Sequence, residues 1–366
     1  MTTTAKSPLL PVYAQTPVEP LRGDGVWLET AEGRRLLDFY GGHAVALLGY
    51  RHPRLLAALA HQAEALFFQS NSVPLAVRER AAAALARFAP QGLGNVFFVN
   101  SGAEANENAL RLAVRATGRS KIVALEGSFH GRTAGALSVT GQPAKRAAFE
   151  PLLPDVTFAK PNDIASLEAA VNDATGCILL EPVLGEGGVV PLEPAFAEAA
   201  RELADVLVFD EVQTGVGRTG TFFAFEQLGV RPDAVTLAKG LANGLPIGCF
   251  LAAESAFEAG DHASTFGGNP VVCAAAVAVC DEIDDAVLAA VRDKSAQISA
   301  RLPGVRGRGL LLAVEAADAS EVVDECLERG LLVGTAGPDA IRLTPPLTIT
   351  DDELDHGLSI LEEVLT

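Results

Sequence analysis

Two short apolar runs in this 366-residue chain end in groups that can do chemistry together. Val206-Leu207-Val208-Phe209 delivers the carboxylates Asp210 and Glu211. Ala234-Val235-Thr236-Leu237-Ala238 delivers Lys239, with Gly240 after it. A carboxylate can hold a proton on an electron-poor ring, and a lysine amine can form an imine with an aldehyde. A third run, Lys121 to Leu125, leads into Phe129-His130-Gly131-Arg132-Thr133. Its phenyl ring and histidine can stack on a ring, and its arginine can bind a carboxylate. A fourth run, Cys177 to Leu180, ends in Glu181-Pro182 and continues to Gly185-Glu186-Gly187-Gly188. A fifth, Asn95 to Val99, meets Asn100-Ser101-Gly102-Ala103 and then a helical pattern. A small-residue turn at a helix start offers free N–H groups and the positive end of the helix dipole to an anion. Ser101 there reads equally well as a plain helix cap.

The elements that must position these residues follow from periodicity. Apolar runs bounded by turn residues suit buried strands of a parallel sheet, and open α/β sheets bind ligands at the carboxyl ends of such strands. Val26–Phe39 reads as a hairpin around Gly33, followed by the loop Tyr40-Gly41-Gly42-His43. Helical patterns start at Pro53, Pro74 and Pro194, and one long Ala/Val-rich pattern runs from Val271 toward Ile298. The chain after it reads as strand Gly309–Val314, helix Ala319–Arg329, strand Ala340–Thr344 and a closing helix from Asp351. This predicts an α/β protein in two units, since the length exceeds what one core supports. The expected boundaries are a segment 1–46 joining the small unit, a large domain 47–268, and an interdomain helix plus small domain 269–366.

A hydrophobic content of 49% with 20% charged residues describes a core-rich protein, and no stretch of about 18 apolar residues occurs. A net charge of −18 argues against nucleic-acid and anionic-membrane partners, which need basic surface. The N-terminal residues lack the pattern of a signal peptide. The five cysteines are scattered and read as buried thiols of a cytoplasmic protein, and the six histidines lack metal-site spacing. Gly215-Val216-Gly217-Arg218-Thr219-Gly220 fits the GxGxxG of an NAD-dependent dehydrogenase. It neither leaves its strand directly nor opens a plausible helix, so it reads as a turn.

Taken in order, these blocks, with Ser264-Thr265-Phe266-Gly267-Gly268-Asn269-Pro270 and Ile341-Arg342 before Pro345-Pro346, resemble the class III, fold-type I pyridoxal-phosphate aminotransferases. The acetylornithine/ornithine branch is the most similar, over nearly the whole chain. The resemblance implies a large domain with a mostly parallel sheet and a smaller α/β domain. It implies that Lys239 binds the aldehyde of pyridoxal 5'-phosphate and that Asp210 pairs with its ring nitrogen. Gln213 would sit near the ring's phenolic oxygen, Phe129 on the ring face, and His130 beside it. Ser101, Gly102 and Ala103 would cradle the phosphate, with Thr265 donated by the neighbouring subunit of a homodimer. Arg132 would bind a substrate carboxylate, Arg342 the α-carboxylate of glutamate, and Glu186 would mask Arg342 when the donor carries a terminal amine. His43 would tune donor length and Tyr13 would lie near the substrate carboxylate. Leu184 departs from the family's usual glutamine.

The activity so implied moves the terminal amine of N2-acetylornithine to 2-oxoglutarate, giving N-acetylglutamate 5-semialdehyde and glutamate, a step of arginine biosynthesis. A carrier-protein-linked aminoadipate semialdehyde/lysine aminotransferase is a rival that the chain's acidity disfavours, because that carrier is itself acidic. Ornithine, succinylornithine and 4-aminobutyrate remain alternative donors.

Overall fold

The computed structural model describes residues 8–153, 155–253 and 256–365. At its centre is a seven-stranded sheet in the order Asn95–Val99, Gly248–Ala252, Ala234–Leu237, Leu207–Asp210, Thr175–Leu180, Lys121–Leu125, Val156–Ala159. Six strands run in one direction, and Gly248–Ala252 runs against both its neighbours. Val208 pairs with Ala234 and Asp210 with Thr236, so the acid closes its strand beside a neighbour that ends one residue later, at Leu237. These strands are apolar on both faces because helices cover both, and Leu207, Val208, Phe209, Ala234 and Leu237 have no exposed surface.

The helix Gly102–Thr117 shows how local sequence sets an element. Ser101 accepts the N–H of Glu104 at its start, Gly118 takes φ 68° at its end, and Ala105, Ala109, Leu112 and Ala113 are buried along one side. The hairpin appears as Trp27–Thr30 against Arg35–Asp38, with a further strand, Pro20–Asp24, outside it. The C-terminal strand Leu331–Leu332 pairs in parallel with Arg35–Asp38. A second small sheet is antiparallel, in the order Arg306–Arg308, Leu311–Glu315, Ala340–Leu343, Gly334–Thr335.

The single long helix expected from Val271 to Ile298 is two helices, Pro270–Glu282 and Asp285–Arg301. Asp284 breaks them by accepting the N–H of Val287 as an N-cap. The GxGxxG stretch is a turn, with Gly217 and Gly220 at φ 86° and 89°, and no helix opens from it. All five cysteines are buried and unpaired.

Candidate active site

At the carboxyl ends of the parallel strands lies a cavity of about 440 Å³. Asp210 and Lys239 both line it, one from each strand end. Asp210 is 3% exposed. Its Oδ2 accepts from Asn106 Nδ2 at 2.7 Å and lies 2.7 Å from His130 Nδ1, while Oδ1 accepts the N–H of Val212 at 2.9 Å. Asn106 also donates to the carbonyl of His130 at 2.8 Å and accepts from the Thr236 hydroxyl at 2.7 Å. Burial pushes the pKa of His130 down, but the hydrogen bond and charge of Asp210, with the charge of Glu181, outweigh it and leave it raised.

Lys239 follows its strand with φ 39°, a strained value for a residue with a side chain, which turns the chain into a short 3₁₀ segment, Lys239–Ala242. Burial lowers its pKa and the charge of Arg342 adds to this, against the pull of Glu186, Glu181 and Asp210. The amine is thereby tuned toward its uncharged, nucleophilic form.

A second cluster adjoins it. Arg342 is 1% exposed. It forms an ion pair with Glu186 through Nη1, which also donates to the carbonyl of Gly185 at 3.1 Å and to Gln213 Oε1 at 3.3 Å. Gln213 in turn donates to Glu186 at 3.2 Å. Gln213 lines the cavity, where the resemblance expects it, and its amide also bridges the Glu186–Arg342 pair. Burial alone would raise the pKa of Glu186, but Arg342 and Lys239 overcome that and hold it near 2. His43 Nδ1 lies 3.2 Å from Arg342 Nη2. Burial and the Arg342 charge lower the pKa of His43, so the neutral ring can accept from the guanidinium. The His43 loop is fixed by Asp38, which accepts the N–H groups of Tyr40 and Gly41, both at 2.8 Å. It is tied to the strand of Arg342 by the Thr344 hydroxyl, which donates to the Tyr40 carbonyl at 2.7 Å.

Glu181, the acid that closes its strand, has a role only the structure shows. It is buried, accepts the N–H of Phe129 at 2.8 Å and that of Gly185 at 3.2 Å, and so ties the two loops together. Burial raises its pKa to about 7. Its signal in the sequence was an acid at a strand end followed by proline. Phe129, Arg132, Ser101, Gly102 and Ala103 all line the cavity. Tyr13 and Thr265 do not. Tyr13 is 80% exposed, because its segment carries no helix or strand to hold it against the body. Thr265 stands exposed on its own loop.

The residues fit pyridoxal phosphate. The Ser101 hydroxyl caps the helix as an acceptor and keeps its own proton to donate, and the N–H groups of Gly102 and Ala103 have no acceptor among the described residues, as an anion cradle requires. Asp210 stands ready for a ring N–H, Phe129 offers an aromatic face, and Lys239 lies in the same cavity. The class III aminotransferase family model matches residues 11–365. The chain belongs to the class III aminotransferases. It is a pyridoxal-phosphate-dependent enzyme acting on amino and 2-oxo acids.

Among curated relatives, this aminotransferase is 44% identical to the acetylornithine aminotransferase of Gloeobacter violaceus, over 96% of this chain and 94% of that one. It is 45% identical to the acetylornithine aminotransferase of Mycobacterium tuberculosis, over 96% and 93%. Among solved structures, the ornithine aminotransferase of Toxoplasma gondii superposes with a TM-score of 0.91 at 30% identity, over 98% and 92% of the two chains. An amine transaminase from an uncultivated Pseudomonas species, in its pyridoxal-phosphate-bound form, gives 0.92 at 27% identity, over 99% of each. No helix among the described residues is long and apolar enough to cross a membrane.

Proposed function

We propose that this aminotransferase takes the terminal amine of N2-acetylornithine and passes it to 2-oxoglutarate, as a cytoplasmic homodimer. The observation that carries the reading is the state of the two arginines of the site. Arg342 is buried and masked by Glu186, whereas Arg132 has no carboxylate partner among the described residues. A donor whose reacting amine is terminal has its carboxylate at the far end, and Arg132 is placed to receive it. Next to the reacting carbon such a donor carries no charge, and the masked Arg342 asks for none. Glutamate and 2-oxoglutarate carry a carboxylate at that position. Glu186 must then swing aside and give up Arg342 to it. The near-half-identical relatives named for acetylornithine support the donor.

Pyridoxal phosphate, when bound, supplies the electron sink that makes the carbon bearing the amine acidic. The chain's residues do the rest. Lys239 Nζ, held toward its uncharged form, takes the proton from that carbon and returns one on the other side of the transfer. Asp210, braced at Oδ2 by Asn106 and His130, would hold a proton on the ring nitrogen. Gly102 and Ala103 would anchor the phosphate, and Thr265 of a second copy would complete that anchor.

The test compares kcat/KM for acetylornithine, ornithine, succinylornithine, 4-aminobutyrate and a carrier-linked amine. Acetylornithine should rank first; a tenfold preference for another donor overturns the assignment. In Arg342→Ala the glutamate half-reaction should fall about ten- to a hundredfold, the worth of a charged hydrogen bond, and the acetylornithine half-reaction much less. Equal losses would contradict the masking role of Glu186.

A further inference from the structure

Arg132 is not the only cation over Phe129. Its guanidinium carbon lies 5.6 Å from the centre of that ring, and the Nζ of Lys145 lies 5.3 Å from the same centre. Neither cation has a carboxylate within ion-pair distance among the described residues. The chain has 46 acidic against 28 basic residues, so two cations left without an acid on one ring are unusual.

Lys145 belongs to the short helix Pro143–Arg146, which begins ten residues beyond Thr133, the end of the motif that carries Arg132. The fold nonetheless ties the two segments together. Gly127 donates to the carbonyl of Gly141 at 2.8 Å and Gly141 to that of Ser128 at 3.0 Å. The Gln142 amide donates to the carbonyl of Gly127 at 3.1 Å, and His130 N–H to the Thr140 hydroxyl at 3.0 Å. Lys145 is thus held beside Phe129 by the loop's own hydrogen bonds. Partial burial lowers its pKa; Glu186 opposes that, and Arg132 and Arg342 add to it. The charges it senses are those of the cavity.

We propose that Lys145 is a second binding cation for the substrate carboxylate, sharing with Arg132 the end of the substrate remote from the reacting carbon. Two like charges on one ring repel, and an anion between them relieves the repulsion. The ring itself gives each cation a partial partner while the site waits. A carboxylate with two oxygens can engage a guanidinium and an ammonium at once. The two-cation site selects substrates with a carboxylate at the far end in both half-reactions: the α-carboxylate of the donor and the γ-carboxylate of 2-oxoglutarate. This rests on the functional reading above only in needing a distal carboxylate, which ornithine and 4-aminobutyrate also have.

The experiment uses the holoenzyme with Lys145→Gln and Lys145→Arg. Glutarate, a dicarboxylate with no reacting group, serves as competitor of 2-oxoglutarate, with its dissociation constant also measured by calorimetry on the protein freed of cofactor. Lys145→Gln should weaken glutarate and raise KM for the best carboxylate donor by about fivefold, the upper range for a partly exposed ion pair. The loss should fall on KM more than on kcat. A monoamine of similar length without a carboxylate should suffer clearly less, and Lys145→Arg should restore glutarate to within about twofold of the wild type. An unchanged glutarate constant in Lys145→Gln overturns the proposal, as does an equal loss on the carboxylate-free amine. Should another carboxylate donor outrank acetylornithine, the donor assignment fails while the Lys145 comparison is run with that donor.

Discussion

At the scale of single residues, the neighbours Asp210 and Glu211 show how far identity is decided by direction. Asp210 lines the cavity and accepts from a ring, an amide and a backbone N–H. Glu211 is 1% exposed and takes no part in the cavity. It accepts the N–H of Phe225 at 2.8 Å, and the Thr214 hydroxyl donates to its other oxygen, so it holds the turn that follows. Burial pushes its pKa up to about 7 from an ordinary 4.5. The folded protein therefore holds a proton that the unfolded chain releases between those two values. Its contribution to stability is fully present below pH about 4.5 and lost as pH rises through about 7. Glu211→Gln keeps an acceptor for Phe225 and has no proton to lose. Its melting temperature relative to the wild type should rise from pH 5 to about pH 7 and level off above that, by thermal unfolding of the holoenzyme; a constant difference would show that Glu211 is not the titrating group. The sequence shows the acid pair but not which member faces in, since alternation along a strand stops being a guide where the strand ends. For the same reason the bridge that Gln213 makes between Glu186 and Arg342 was not legible. Lys145 was invisible because its approach to Phe129 depends on hydrogen bonds between two loops.

At the scale of elements, the strands and helices that carry the site were legible because each is marked locally: apolar runs of strand length, Ser101 as a cap, prolines at helix starts. What was not legible came from weaker marks. The strand Val156–Ala159 and the helix Ile164–Ala170 carry few large apolar residues, and the break at Asp284 is marked only by the acidic run Asp281-Glu282-Ile283-Asp284-Asp285, with neither Gly nor Pro to stop a helix. Direction was also hidden: nothing local says that Gly248–Ala252 runs against its neighbours. That reversed strand has a consequence. It starts beside Ser101, and a Cβ on Gly248 would lie 2.1 Å from the Ser101 carbonyl oxygen and 2.7 Å from the side chain of Val99. The obstacle is backbone, which yields only if the start of the helix Gly102–Thr117 moves. Gly248→Ala should cost about 1–3 kcal/mol in urea unfolding, as overpacking against a rigid neighbour does. It should also weaken pyridoxal phosphate binding about tenfold or more by shifting the N–H groups of Gly102 and Ala103. Gly94→Ala is the control, since its Cβ would meet nothing closer than 3.6 Å. If the two variants bind the cofactor alike, the phosphate does not sit at this helix start.

At the scale of the molecule, one chain does not use every residue that its sequence sets aside for the site. Thr265 is exposed and outside the chain's own cavity, on a loop whose next residue, Phe266, is 62% exposed and lies 5.7 Å, ring to ring, from Phe68. Phe67 is 66% exposed and Val73 42%, an apolar surface of the kind that closes between subunits. A homodimer that places Thr265 of each copy at the phosphate site of the other accounts for both observations, and it makes a prediction that a self-contained cavity does not. Lys239→Ala removes the amine from its own site but leaves its Thr265 intact for the partner. Thr265→Glu puts a negative charge where the partner's phosphate should bind but leaves its own Lys239 intact. Each variant alone should be inactive. Unfolded together in equal amounts and refolded with cofactor, half of the dimers are mixed, and each mixed dimer holds one site with both residues sound and one with neither. Activity should return to about a quarter of the wild-type value by this symmetry. If each chain completed its own site, the mixture would stay as inactive as its parts, and gel filtration of the mixture would still show dimers.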